Sequence, residues 1–389
     1  PALVFDPDTE DTYLAFRDQG TSNYGKIGGL VISGTDNTTV SCPTGYYTFH
    51  SGSTDTIELV YDTSANKIII VYRDSTTKYY TARVAEVGSN QALTFGSEVS
   101  TGVYGDEGKM SAAYDASANR LVMCMADDSD NNKGKYVVGT VSGTSISFTS
   151  KASLINSEIH YLNMDYHAGE QKTIVSFRDV GGGYNKLRST VGTVGSSSVT
   201  WGSTVDFPGG YGTGANTTCV DPLTNLVFRG LVFPNDNRFY YAYATLSGTT
   251  FSTLGTNSQS SHNHSLSWED MTSTAMGNHG RIVVLAYNAS ASRPGLYVYD
   301  MGQTGSNANS KNGLGFAPLA ISDGNTGTIN LPGNVVGNQS GLTAGQRYFI
   351  QGDGTLGTSI DNSLGGGYDS TKAGLALSAT SLLIADYRS

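Results

Sequence analysis

The chain has 389 residues, a net charge of −10 and only 14% charged side chains, with 49 glycines against 9 prolines. An acidic chain without basic clusters excludes nucleic acid and anionic membrane surfaces as partners, because counterion release needs Lys and Arg on one face. No apolar run approaches the roughly 20 residues of a membrane-spanning helix, so membrane insertion is not expected. The Gly, Ser, Thr, Asn and Tyr content suits many short strands joined by tight turns.

From the first residues the chain repeats one phrase. Leu3-Val4-Phe5-Asp6 leads through a polar turn to Thr12–Asp18, and Leu59-Val60-Tyr61-Asp62 leads through Thr63–Asn66 to Ile68–Asp74. Ala113-Tyr114-Asp115 is followed by Leu121–Asp127, and Met164-Asp165-Tyr166-His167 by Lys172–Asp179. Weaker copies begin at Cys219 and Ser273, so the starts lie near 3, 59, 113, 164, 219 and 273. A period of that size belongs to propeller blades.

Each repeat reads as four strands. The first is a short apolar run, and the Asp/Ser/Ala/Asn turn closes a hairpin onto the second, a β-branched and aromatic run ending in Arg-Asp. The third is exemplified by Tyr79–Val87 and Lys135–Val141, and the fourth by Ser145–Phe148 and Ser198–Trp201. A four-stranded meander of this length cannot cover both of its own faces, whereas radial stacking covers them with the neighbouring repeats. The expectation is therefore an all-β chain: a β-propeller of about six four-stranded antiparallel blades over 1–311. A small C-terminal β-module follows over 312–389, and residues 315–321 are expected to complete the last blade. Pro1 rather than Met opens the sequence, which implies processing or further residues upstream.

The repeated Tyr-Asp…Asn-Lys…Arg-Asp phrase, with Gly139-Thr140-Val141-Ser142-Gly143-Thr144-Ser145-Ile146-Ser147-Phe148 in one copy, resembles repeats in bacteriophage tail-fibre and other virion structural proteins of the marine type. The stretches Ala320–Gly324, Asn338–Thr343, Gly352–Leu356 and Lys372–Leu383 resemble a module that closes such fibres. What the resemblance implies is adhesion: a virion-borne, extracellular fibre subunit that binds a host surface receptor, commonly a glycan. It also implies association as a homotrimer and with other virion proteins. A polysaccharide-degrading propeller (a depolymerase) and a bacterial cell-surface adhesin built from the same repeat stand as alternatives.

The chemistry-bearing residues are few. Arg17-Asp18, Arg73-Asp74 and Arg178-Asp179 end equivalent second strands, while Ala126 takes the Arg place in the third repeat. Converging arginines would bind a carboxylate; an Arg recurring beside its own Asp reads instead as an interblade strut. Asp106-Glu107 and Glu269-Asp270 are adjacent pairs, which a strand sends to opposite faces, so they do not make a glycosidase pair. His262 and His264 lack a third metal ligand. Asp-containing turns offer oxygens to Ca²⁺, but without an EF-hand spacing; no cofactor is expected, and Ca²⁺ is the single candidate ion. Cys42, Cys124 and Cys219 read as small buried hydrophobes. Among 24 tyrosines, Tyr46, Tyr47, Tyr104, Tyr184, Tyr211, Tyr240 and Tyr241 lie in loops or near strand ends, where a ring stacks on a sugar and its hydroxyl hydrogen-bonds. They are the candidate ligand-binding residues.

Overall fold

A computed structural model describes residues 1–33, 39–181, 185–208, 215–233, 238–253, 258–259, 266–275, 281–288, 293–300, 330, 334–350, 356–358 and 372–384. The chain divides into two compact units, Pro1–Met301 and Gly302–Ser389. All the sheets are antiparallel, and the larger unit has the propeller architecture.

The second repeat shows how each blade is made. Residues 54–62 of the strand Tyr47–Asp62 form its inner edge and pair with Lys67–Asp74, which pairs with Tyr79–Val87. The outer edge comes in two pieces, Leu93–Phe95 and Val99–Tyr104, which pair with opposite ends of Tyr79–Val87. The first, third, fourth and fifth repeats have the same divided outer strand, one piece more than the sequence phrase suggests. In the sixth, the strands Leu266–Ala275, Arg281–Asn288 and Arg293–Asp300 are described. Residues 315–321, expected as its fourth strand, lie outside the described residues, as do His262 and His264.

The inner hairpin explains the recurring Asp and Asn. The Asp62 carboxylate accepts the amides of Ser64 and Ala65, and Asp115 accepts those of Ser117 and Ala118. The turn then ends in a left-handed residue, Asn66 at φ 54° and Asn119 at φ 53°, a conformation asparagine tolerates better than most side chains.

The second strands of the second to fifth blades are buried on both faces because the period of two divides them between neighbours, whereas in the first blade only Tyr13 and Ala15, on one face, are buried. Ile68, Ile70 and Tyr72 pack with Tyr13, Ala15 and Phe49 of the first blade, while Ile69 and Val71 pack with Met110, Leu121 and Met123 of the third. Leu121, Met123 and Met125 face back to the second blade; Val122, Cys124 and Ala126 face forward to Ile159 and Phe177 of the fourth. Among the described residues the three cysteines are unbridged, with Cys124 and Cys219 buried.

Inner strands of successive blades stand side by side without forming a ladder, so their edge amides need other acceptors. Side chains from the preceding blade supply them: Glu58 accepts from the Ala112 amide (2.8 Å), Ser111 from Met164 (3.0 Å), Asn163 from Thr218 (2.8 Å) and Asp165 from Val220 (2.8 Å).

At the periphery, the turn carrying Gly143 and Thr144 of the third blade rests on Gly96 of the second. A Cβ on Gly96 would lie 1.7 Å from the Thr144 carbonyl oxygen, a backbone atom that cannot swing aside. Gly96→Ala is expected to cost about 1–3 kcal/mol, read from the urea midpoint. Gly88→Ala, where the nearest atom is 3.5 Å away and φ is −101°, serves as the silent control. Equal midpoints for the two variants would remove Gly96 from the interblade contact.

The smaller unit is a five-stranded sheet of Val335–Val336, Ser381–Ile384, Lys372–Ser378, Arg347–Ile350 and Leu356–Gly357, in that spatial order. Val336, Leu342, Tyr348, Ala376 and Leu382 form its core.

Candidate functional site

The recurring Asp at the end of each second strand does not pair with the Arg before it. Asp18, Asp74, Asp127 and Asp179 each accept a backbone amide two residues on, from Gly20, Thr76, Ser129 and Gly181. Strand alternation turns the preceding residue to the other side. Arg73 reaches Asp55 on the inner strand (2.6 Å) and the Gly105 carbonyl (2.6 Å), with both charged side chains buried. Arg17 is exposed and stands 3.9 Å from Glu107. Arg178 donates to the Asn185 side chain (2.7 Å) and covers the Tyr161 ring, while Asp179 is paired by Arg188 (2.7 Å). The three arginines occupy equivalent places and have different partners.

The candidate tyrosines separate as well. Tyr46 is 49% exposed and meets Phe16 edge-on at 4.8 Å, on the face of the first blade turned away from the second. Tyr104 meets the exposed Tyr79 edge-on at 5.8 Å, with the Lys78 ammonium 5.7 Å above its ring, forming a ledge on the outer edge of the second blade. Tyr241 belongs to an aromatic column with Phe228, Phe239 and Tyr243, and Tyr240 packs beside the buried Leu187–Phe207–Leu231–Ala242 cluster. Tyr184 and Tyr211 lie outside the described residues. Tyr47 touches Phe95 edge-on at 6.4 Å, and this contact leads into a polar cleft between the first and second blades.

Four elements build the cleft. The strand Tyr47–Asp62 carries His50 on its first half, where it is still the outer strand of the first blade. Lys67–Asp74 contributes Tyr72 and Asp74, Tyr79–Val87 contributes Arg83, and the link between the two outer pieces contributes Glu98. His50 Nδ1 stands 3.1 Å from Glu98 Oε2 and 3.4 Å from the Tyr72 hydroxyl, and His50 Nε2 is 3.7 Å from Asp74 Oδ1. Arg83 Nη1 is 3.5 Å from Glu98 Oε1. Its Nε donates to the Gly96 carbonyl (2.7 Å), Nη1 donates to the Phe49 carbonyl, and the guanidinium lies 5.0 Å over the Phe95 ring. Backbone oxygens and a ring thus fix the guanidinium before any ligand arrives.

Side-chain exposure rises across the cleft from His50 (11%) and Asp74 (16%) to Arg83 (23%) and Glu98 (36%). Tyr72 lies fully buried at its floor. Burial drives the Tyr72 phenol pKa far up, and the Glu98 carboxylate adds to the effect, so it donates a hydrogen bond and does not act as a base. Asp74 goes the other way. Burial pushes it up, but the Thr77 hydroxyl, the amides of Thr76 and Thr77 and the nearby His50 together bring it below the usual carboxylate value. His50 Nε2 is shut off from solvent and makes no hydrogen bond.

Arg83 was within reach of the sequence. Its place across from Ile70 is taken by Gly28 across from Leu14, Val137 across from Met123, Thr190 across from Val175 and Ala242 across from Arg229. A single charged residue at a position otherwise small or apolar is the signal that motif hunting missed. Among the described residues no three His, Cys, Asp or Glu side chains form a metal-binding group.

No protein family matches the chain, and no curated protein matches it. Solved structures do. A triple arginine-to-alanine mutant of AofleA from Arthrobotrys oligospora aligns with a TM-score of 0.51 and 10% identity, over 77% of this chain and 83% of that one. SapL1 lectin in complex with alpha methyl fucoside gives 0.46 and 10%, over 77% and 92%. The polysaccharide lyase Uly1 gives 0.45 and 9%, over 77% of each chain. At these identities the likeness reaches the fold and stops short of the chemistry. The chain is similar in architecture to these proteins, and its own cleft has to speak for its function.

Proposed function

We propose that this chain is a glycan-binding propeller of a phage receptor-binding fibre, attaching to a host surface without catalysis. The observation that carries the binding reading is the cleft between the first two blades. A sugar's vicinal hydroxyls need a donor and an acceptor side by side, with an apolar ring for the C–H face. Arg83 and Glu98 supply the pair, and Phe95 with Tyr47 supplies the ring. The pre-set guanidinium lowers the ordering cost of binding. The fibre assignment, a place on the virion and trimeric assembly draw their support from the sequence resemblance. Several copies on one fibre would turn weak single-site contacts into useful avidity.

Arg83→Met and Glu98→Gln are each expected to weaken binding at least tenfold, about 1.4 kcal/mol or more. Calorimetry with the saccharide selected from a surface-glycan array measures this, with circular dichroism confirming the fold. Unchanged affinity in both variants would overturn the cleft assignment.

One observation favours the depolymerase reading. His50 stands between the Glu98 and Asp74 carboxylates, a pairing that tunes an imidazole for proton transfer, although its Nε2 is closed to solvent and would have to be uncovered to meet a substrate. Light scattering of the polysaccharide during incubation separates the readings: constant mass supports the binder, and progressive shortening that His50→Gln abolishes makes it an enzyme.

A further inference from the structure

The fifth blade buries a charge that the fold does not neutralise. Arg229 lies on the strand Val227–Phe233 and is 1% exposed. Alternation sets Val227, Arg229 and Leu231 toward the fourth blade, where Val227 packs with Ile174 and Val191, and Leu231 with Leu187 and Phe207. The guanidinium is held between two rings, Phe251 at 5.0 Å and Phe207 at 5.8 Å. Nε and Nη1 are both closed off from solvent, and neither has an acceptor among the described residues. Arg73 shows another solution for a buried arginine in this fold, a carboxylate and a carbonyl; among the described residues Arg229 Nε and Nη1 have neither.

An ionised side chain withdrawn from water costs several kcal/mol unless a counter-charge meets it. The ring faces give some relief through cation–π attraction and leave Nε and Nη1 unsatisfied. Losing the proton is no escape. Burial pushes the Arg229 pKa down to about 10, which keeps the charge at neutral pH. A guanidinium whose faces are covered by rings presents only its in-plane N–H groups, the geometry that matches a planar oxyanion.

We propose that the seam between the fourth and fifth blades is an oxyanion site in which Arg229 binds a carboxylate. The source is either a free small carboxylate or the acid group of an acidic saccharide. The assignment is independent of the cleft at Arg83 and Glu98, which lies between other blades and carries its own carboxylate.

The test compares wild type with Arg229→Met by thermal unfolding in sodium acetate, sodium glucuronate and sodium chloride at matched ionic strength. Methionine fits the space and removes the uncompensated charge, so without acetate or glucuronate the variant is expected to melt no lower than wild type. Acetate or glucuronate is expected to raise the wild-type midpoint above its value in chloride by about 2 °C or more, saturably, and to leave Arg229→Met unmoved. A rise with both anions identifies the free carboxylate as sufficient, and a rise with glucuronate alone identifies the acidic sugar. Equal responses in the two proteins, or none in wild type, would overturn the site. Should Arg229→Met fail to fold, saturation-transfer NMR on the wild-type protein replaces it: transfer to acetate that excess glucuronate suppresses supports the site, and absence of transfer to either overturns it.

Discussion

Replacing Arg73 by methionine is expected to cost about 3–5 kcal/mol, the largest single loss in the propeller, because it strands the Asp55 carboxylate inside the blade. Asp55 keeps donors from Ser75 (2.6 Å) and Thr56 (3.3 Å), but hydroxyl dipoles do not replace a guanidinium against a buried anion. The same change also leaves the Gly105 carbonyl without its donor, where the chain passes from the second blade to the third. Arg17→Met is the internal comparison. It occupies the equivalent place in the first blade, but its side chain is 39% exposed and its partner Glu107 is 67% exposed at 3.9 Å, so water screens the pair and the loss should stay within about 1 kcal/mol. Urea midpoints of the propeller transition measure both. A double variant that removes Asp55 as well, Arg73→Met with Asp55→Leu, should recover part of the loss because no unpaired charge remains. A cost near that of Arg17→Met would mean that Asp55 finds water in the native state.

That contrast shows what the repeat made legible. The phrase located the hairpins, since Asp62 and Asn66 or Asp115 and Asn119 do the same local work in each copy and local work leaves a local pattern. It located the third strand Tyr79–Val87 to the residue. The divided outer strand stayed hidden for a physical reason. Residues of Tyr47–Asp62 and of Ala152–His167 leave one sheet and enter the next within a single strand, so Ser51–Thr56 and Asn156-Ser157, which look like turn punctuation, do not end the strand. Partner choice stayed hidden too. Adjacency suggested Arg73 with Asp74, while the pleat assigns Arg73 to Asp55, 18 positions back on the paired strand.

The candidate site was less legible than the fold. Loop position was the criterion for the tyrosines, and it does not distinguish a ring on a ledge, such as Tyr104, from one in a packed column, such as Tyr241. The cleft residues His50, Asp74, Arg83 and Glu98 are spread over 49 positions of sequence and meet only because one strand crosses between two blades. Reading the repeat for departures, as with Arg83, recovers part of such a site, because a propeller makes equivalent positions comparable within one chain.

Departure from the repeat also marks Glu58, and its replacement by glutamine is expected to stabilise the protein at pH 8 by on the order of 2–3 kcal/mol while changing little at pH 4.5. Glu58 is half-buried at the seam between the inner strands of the second and third blades, where the third and fourth meet through Ser111 and the fourth and fifth through Asn163. Burial raises its pKa from 4.5 to about 7, and the Ala112 amide and Ser111 hydroxyl offset only part of that. The folded protein therefore holds a proton between pH 4.5 and 7 that the unfolded chain has released. Stability is full at the acid end of that window, falls as pH rises through it and stays low above it. Asp165, raised by burial to about 6, slopes in the same direction. Asp74 and Asp206, both lowered, act only where pH falls below the usual carboxylate range, and in the opposite direction. Glutamine keeps the acceptor for the Ala112 amide without the charge, so the wild-type decline between pH 4.5 and 8 should shrink in Glu58→Gln. The part of the decline that remains should belong to Asp165 and be lost in a double variant with Asp165→Asn, leaving the opposite, rising slope of His160, whose pKa burial lowers. Parallel curves for wild type and Glu58→Gln would mean that the carboxylate at the seam is hydrated as an ion, and that the amide of Ala112 could be capped there at no pH-dependent cost.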